Sequence, residues 1–181
     1  MKVVKYLPTL LIAVMLVGCT LPDGSYVTPE QLTEQKGCEI LNLLQDNDET
    51  GFKDILCQRL KDEHRNLDEE IHELFSFIDG DIVSYDDPYI AGGGTNTSET
   101  EGDVKKYIGG EIRHIKTTTD KEYAVFYVFY LIDKDQPEML GVSDVCISLE
   151  DAHYDQINGY DTNECRTVTL QYDSENFTRK H

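Results

Sequence analysis

Asp144 interrupts the largely apolar run from Val142 to Ile147, and a carboxylate in that setting has two readings. Simple strand alternation turns it to solvent; an inward position makes it a buried charge, costly alone but useful as an acid or base in an apolar pocket. Two histidines raise the same question. His72 lies one residue after Ile71 and three before Phe75, at the border of an apolar stripe, and His114 sits where Ile112 and Ile115 break strict alternation. His64 and His153 have polar sequence neighbours. General acid–base chemistry of the isomerase or dehydratase kind needs one such group inside an apolar cavity.

The tyrosines suggest binding rather than turnover. Eleven tyrosines and no tryptophan supply rings that combine apolar contact with a hydroxyl. Tyr123 and Tyr127 lie in the most apolar segment and suit a core, whereas Tyr89 and Tyr107 flank a polar stretch and suit recognition. Gly92-Gly93-Gly94 lacks a following lysine and does not lead a helix, so it is no nucleotide loop, and no serine stands in G-x-S-x-G.

Five cysteines carry the remaining chemistry. Lys2 and Lys5 precede an apolar run from Leu10 to Val17, the order of an export signal, and the run is shorter than the roughly 20 residues of a spanning helix. Leu16-Val17-Gly18-Cys19 resembles the bacterial lipobox, in which the cysteine sulfur receives a diacylglycerol and the chain is cut just before it. That reading makes Cys19 the lipid attachment, with palmitate-class acyl chains holding the protein to a membrane. In an exported chain Cys38, Cys57, Cys146 and Cys165 are expected in disulfides, with three full pairings possible and Cys38 with Cys57 and Cys146 with Cys165 preferred because each pair joins neighbouring elements. No pair has the spacing of a zinc site, and no metal or cofactor is expected.

The formal charge is −19, and removing residues 1–18 takes away two lysines and no acid. Such a balance argues against nucleic acid as a ligand and against direct adhesion to anionic lipid. Between Lys61 and Val104 thirteen acids face two basic residues, which reads as a solvated acidic face or a surface for a basic partner. Asp79-Gly80-Asp81 and Asp86-Asp87 do not follow the spacing of a twelve-residue calcium loop.

The elements that must position these groups follow from caps and periodicity. After a tether at 19–27, Thr28-Pro29-Glu30-Gln31 predicts a capped helix to about Gln45, weakened at Gly37. Asp48 caps a short helix carrying Phe52, Ile55 and Leu56, and Asn66 with Glu69 caps a third in which Ile71, Leu74, Phe75 and Ile78 recur before Gly80. Strands are expected at Ile82–Tyr85, Glu111–Thr118, Glu122–Ile132, Met139–Leu149 with a bulge at Gly141, and Arg166–Tyr172, while Tyr89 to Asp103 reads as a loop. The expected class is α+β, a single domain over 28–181 with 150–181 as an extension, its N-terminal helices packed on a curved antiparallel sheet. A part-filled cone would open a pocket among Phe75, Ile78, Tyr123, Tyr127 and the glycine loop.

Four segments add a resemblance: Leu56-Cys57-Gln58-Arg59-Leu60, Glu70 to Gly80 with its Leu-Phe-x-Phe-x-x-Gly pattern, Thr118 to Tyr123, and Gly141-Val142. Over roughly Glu30 to Leu149 the chain resembles an uncharacterised family of Firmicute lipoproteins whose fold is similar to the nuclear transport factor 2-like, cystatin-like α+β cone. That resemblance implies the cone fold and carries over no reaction and no catalytic residue. The expected function is a membrane-tethered extracytoplasmic module that binds an unknown protein or small molecule, with ligand-contacting residues drawn from Phe75, Tyr89, Tyr107, His114, Tyr123, Tyr127 and Asp144. A small isomerase- or dehydratase-like enzyme is the alternative, and self-association in envelope assembly a third.

Overall fold

The computed structural model describes residues 27–97, 104–152 and 165–169. Its helices are α1 (Pro29–Gln45), α2 (Glu49–Ile55), α3 (Gln58–Glu63) and α4 (Leu67–Phe77). Six strands follow: β1 (Ile82–Ser84), β2 (Tyr89–Thr97), β3 (Val104–Thr117), β4 (Glu122–Asp133), β5 (Gly141–Leu149) and β6 (Cys165–Thr169). They form one antiparallel sheet in the order β1-β3-β4-β5-β6, with β2 also paired to β3. The class is α+β, as expected. Among the described residues no helix is long and apolar enough to cross a membrane.

The first helix starts as its sequence requires. The Thr28 hydroxyl accepts from the Gln31 N–H at 3.3 Å, and the Gln31 side chain accepts from the Thr28 N–H at 2.9 Å, a closed capping box. At α2 the Asp48 carboxylate accepts from the Gly51 N–H at 2.8 Å. Two expectations fail. The helix α3 was not foreseen, because its six polar-rich residues carry a single buried apolar side chain, Leu60. Asn66 does begin α4, yet its side chain makes no capping bond.

The expected glycine loop is instead strand β2, whose residues Tyr89 to Thr97 pair with Val104 to Glu111. Gly92, Gly93 and Gly94 read as loop because they carry no periodicity, but backbone ladder bonds need none. Gly141 opens β5 with φ +112°, but the bulge expected there falls at Ser143, between the Val128–Asp144 and Phe129–Val142 pairs.

The helices cover one face of the sheet. Ile40, Leu41, Phe52, Leu60, Ile71 and Leu74 pack with Ile112, Tyr127, Val142 and Ile147, all fully or almost fully buried. Phe52 meets Phe75 edge to face at 5.3 Å between centroids. Tyr127 stands at the centre, and its hydroxyl donates to the Thr33 carbonyl oxygen at 2.7 Å. Two glycines make room for this ring. A Cβ at Gly110 would lie 2.3 Å from Tyr127 Cζ, and one at Gly37 would lie 2.5 Å from Pro88 and 2.7 Å from the Tyr127 hydroxyl. Gly37, which weakens the helix on propensity, is thus where α1 approaches the sheet.

Candidate functional site

The two sequence patterns that carry the resemblance meet in space. At the C-terminus of α4, the Tyr123 hydroxyl donates to the Phe77 carbonyl at 3.1 Å and accepts from the Asp79 N–H at 2.9 Å. The Thr119 hydroxyl donates to the Asp79 carbonyl at 2.8 Å, the Asp81 N–H donates to the Thr118 hydroxyl at 3.0 Å, and Lys121 pairs with Asp79 at 2.9 Å. Gly80 takes φ +86° to make this turn, a region that favours glycine. The Leu-Phe-x-Phe-x-x-Gly helix end and the Thr-x-x-x-x-Tyr strand entry are therefore two halves of one clamp.

Beside the clamp lies an open cleft of about 630 Å³, with Phe77, Ile78 and Leu149 supplying apolar wall. Arg166, projected from β6, and Lys121 bring positive charge, opposed by Glu73 and Asp79. The Arg166 guanidinium lies over the Phe77 ring at 5.1 Å, and that ring meets Tyr123 edge to face at 5.7 Å. Apolar wall with a few directed charges is the composition of a small-molecule cleft.

A second polar cluster occupies a bulge in β3, where register shifts between Ile112 and Ile115 and His114 takes φ +52°. Arg113 links two buried carboxylates: its Nε donates to Glu150 at 2.6 Å, and its Nη1 lies 3.4 Å from Glu111. The other Glu150 oxygen accepts from the His114 backbone N–H at 3.2 Å, holding the bulge. The Tyr89 hydroxyl donates to Glu111 at 2.6 Å. Burial, and then the Glu111 carboxylate, push the Tyr89 phenol up to about 12. This network holds its carboxylates against a guanidinium.

The seven expected pocket residues do not converge. Phe75, Tyr123 and Tyr127 are core side chains on the helix-covered face, so the anticipated opening among them is filled. Among these Tyr123 still borders the cleft, and Ile78 lines it from α4's end. Tyr89 belongs to the β3 bulge network, and Tyr107 packs on Tyr130 with centroids 5.4 Å apart. The His114 side chain is 53% exposed and lies 3.7 Å from Glu122 and from Glu150, not in an apolar pocket. Asp144 is half-buried and accepts from the Ser143 and Thr169 hydroxyls, which settles it into the β5–β6 surface. His72 is exposed and pairs with Glu49 at 2.9 Å. Sequence reading missed Arg166, Lys121 and Leu149, whose approach to Phe77 depends on long-range pairing; Phe77 itself was visible in the quoted pattern.

Cys19 lies outside the described residues, as does His153. The expected disulfides among Cys38, Cys57, Cys146 and Cys165 are not formed in this structure. Cys38 sits on α1 near Glu34 and Asp87, while Cys57 begins α3 with its N–H donating to Val142 O at 2.7 Å, so adjacency in sequence does not bring this pair together. Cys146 and Cys165 are on paired strands, with Cys146 opposite Thr167 and Cys165 opposite Ser148, and their thiols are within hydrogen-bonding reach. Among the described residues no group of three or more His, Cys, Asp or Glu is placed to hold a metal.

These buried acids set an alkaline limit. Burial, and then Cys165, push the Cys146 thiol up to about 12 from 9.0, and burial raises the Tyr127 phenol above its ordinary 10.0. The unfolded chain would lose these protons first, so their contribution is whole below about pH 9 and is lost as pH rises toward 12. Tyr127 matters more than Tyr89, which is 43% exposed and screened by water. Under reducing conditions the urea midpoint is expected to fall steadily from pH 9 upward; a constant midpoint from pH 8 to 11 would refute this account.

No curated protein matches the chain. The profile of a family described as a domain of unknown function, DUF5104, matches residues 39–154, from α1 past the end of β5. The match covers more than half of the chain and takes in both halves of the α4–β4 clamp, and on that ground the chain belongs to the DUF5104 family.

Proposed function

We propose that this protein is a lipid-anchored, extracytoplasmic binding module that holds a small amphipathic ligand in the cleft beside α4, β4 and β6. One observation carries the choice. The helix-covered interior is filled by side chains, whereas the cleft beside it stays open and joins apolar wall to the Arg166 charge. The ligand's apolar part would lie against Phe77, Ile78 and Leu149, and its anionic part at Arg166. Helices on one face of a single antiparallel sheet also support the nuclear transport factor 2-like cone as the fold family.

Binding of the aromatic sulfonate 8-anilinonaphthalene-1-sulfonate, followed by fluorescence, tests the cleft. Wild-type protein is expected to bind it, with affinity falling about tenfold in Arg166→Ala and in Phe77→Ala. Equal binding by all three would reject the cleft as the site. Mass analysis of protein recovered from native membranes tests the anchor and the thiols together. The proposal requires a diacylglycerol on Cys19 and the loss of two hydrogens for a Cys146–Cys165 disulfide; an unacylated chain retaining residues 1–18 would overturn the anchor.

The enzymatic alternative draws on the β3 bulge, where a non-glycine residue with positive φ adjoins buried carboxylates. Its acids are held by Arg113, whereas the cleft beside Arg166 joins apolar wall to charge, so binding is the stronger reading.

A further inference from the structure

Strand β2 pairs with β3 alone, so among the described residues no strand lies along its outer side. Its nine residues include no acid and no base, and Tyr89 to Gly93 are exposed without interruption. An uncovered edge presents unpaired N–H and C=O groups, and folded proteins ordinarily blunt such an edge with a lysine, a proline or a covering segment. Pro88 does not serve here, because it is buried where α1 approaches at Gly37. Of the six large apolar side chains exposed among the described residues, Val83, Tyr85, Tyr89 and Ile90 lead into β2 or begin it. Exposed apolar groups gathered in this way mark an interaction surface. We infer that the outer edge of β2 docks an extended, basic segment of a partner protein, which joins the sheet as a further strand. This edge lies across the sheet from β6 and the cleft beside Arg166.

Charge decides the occupant. Asp86, Asp87 and, on α1, Glu34 are exposed where β2 begins, and Glu34 and Asp87 both lie near Cys38. Neither Glu34 nor Asp87 enters an ion pair among the described residues, and Asp86 has only His114, at 3.9 Å. The cations of β3 beside this point are engaged elsewhere. Arg113 is held by Glu150 and Glu111, and Lys116 pairs with Glu122 at 2.7 Å. Lys106 stands opposite Thr95, toward the far end of β2.

A second copy of the chain, at formal charge −19, would bring the same carboxylates against these. The acids that keep two such edges apart therefore admit a basic strand and refuse an acidic one. Backbone ladder bonds would supply the attachment, and the exposed Tyr85, Tyr89 and Ile90 side chains would meet the partner's alternate apolar residues. Room for the added strand is present, since a Cβ at Gly92 would meet nothing within 4 Å.

Titration of a short peptide of alternating lysine and valine into the whole protein, read by backbone amide NMR shifts, tests the edge. Saturable shifts are expected at Ile90, Ala91, Gly92 and Gly93, weakening as salt is added, while a peptide of alternating glutamate and valine leaves them unmoved. Glu34→Lys combined with Asp87→Lys, both exposed positions, is expected to weaken the lysine peptide about tenfold and to let the glutamate peptide bind. Gly92→Lys places a repelling charge in open space and should weaken the lysine peptide as well, whereas Gly92→Ala should not. The inference is overturned by the absence of a saturable shift, by shifts confined to the acids of α4, or by unchanged affinity in both lysine variants. Sedimentation showing that the protein alone dimerises, with the same amides moving as concentration rises, would also overturn it by giving the edge to a second copy.

Discussion

Arg113→Met is expected to lower the free energy of unfolding by about 3 kcal/mol, read as a drop in urea midpoint at unchanged slope. The guanidinium lies between Glu111 and Glu150, both of which are buried, and donates to Glu150 at 2.6 Å. Without it two carboxylates stay in a poorly solvated place with no cation, and their mutual repulsion adds to the desolvation cost. Glu150 also holds the His114 N–H, so the variant should loosen the β3 bulge, where His114 keeps a positive φ. The charge explanation makes a second, sharper demand. Adding Glu111→Gln and Glu150→Gln to Arg113→Met should recover most of the loss, since neutral amides need no counterion. If Arg113→Met alone stays within about 0.5 kcal/mol of wild type, within the range of ordinary surface changes, the network is not holding the bulge.

Gly110→Ala is expected to cost about 2 to 3 kcal/mol through overpacking. The new methyl would overlap Cζ, the hydroxyl and Cε2 of Tyr127 at 2.3, 2.4 and 2.6 Å. That ring cannot swing away, because it is fully buried and its hydroxyl is tied to Thr33 O on α1 at 2.7 Å. Relief therefore requires either breaking that hydrogen bond or moving α1 off the sheet. Gly92 supplies the comparison: it is a strand glycine whose added Cβ would meet nothing within 4 Å. Gly92→Ala should be neutral or slightly stabilising, because alanine restricts the unfolded chain. Similar losses at both positions in thermal or urea unfolding would show that backbone freedom, and not contact with Tyr127, is what Gly110 provides.

Much of the secondary structure was legible before the fold was known. The Thr28 capping box, the Asp48 cap, the apolar spacing of Ile71, Leu74 and Phe75, and the dense run from Glu122 to Ile132 each carry their own local cause. Strand β2 was misread because glycines hide strand periodicity, and α3 because its length is too short to show helical periodicity. The site was far less visible. Tyr123 and Tyr127 were rightly suspected of belonging to the core, but nothing local tells that the Tyr123 hydroxyl closes the end of α4. His64 was discounted for its polar sequence neighbours, yet its side chain is buried against Glu70. Polar neighbours in sequence do not keep a residue at the surface when the chain turns there between two helices.

The amino-acid sequence by itself determined the caps, the helix faces, the apolar central strand and the acidic balance, because each depends on residues within a few positions of one another. Tertiary structure alone decided which surfaces remain open. The approach of Arg166 to Phe77, the joining of Glu111 to Glu150 through Arg113, and the filling of the space between helices and sheet by Tyr127 all depend on strand register and helix placement between residues far apart in the chain. A one-residue slip in a strand would send each of these side chains to the opposite face, which is why spacing along the chain could not reveal them.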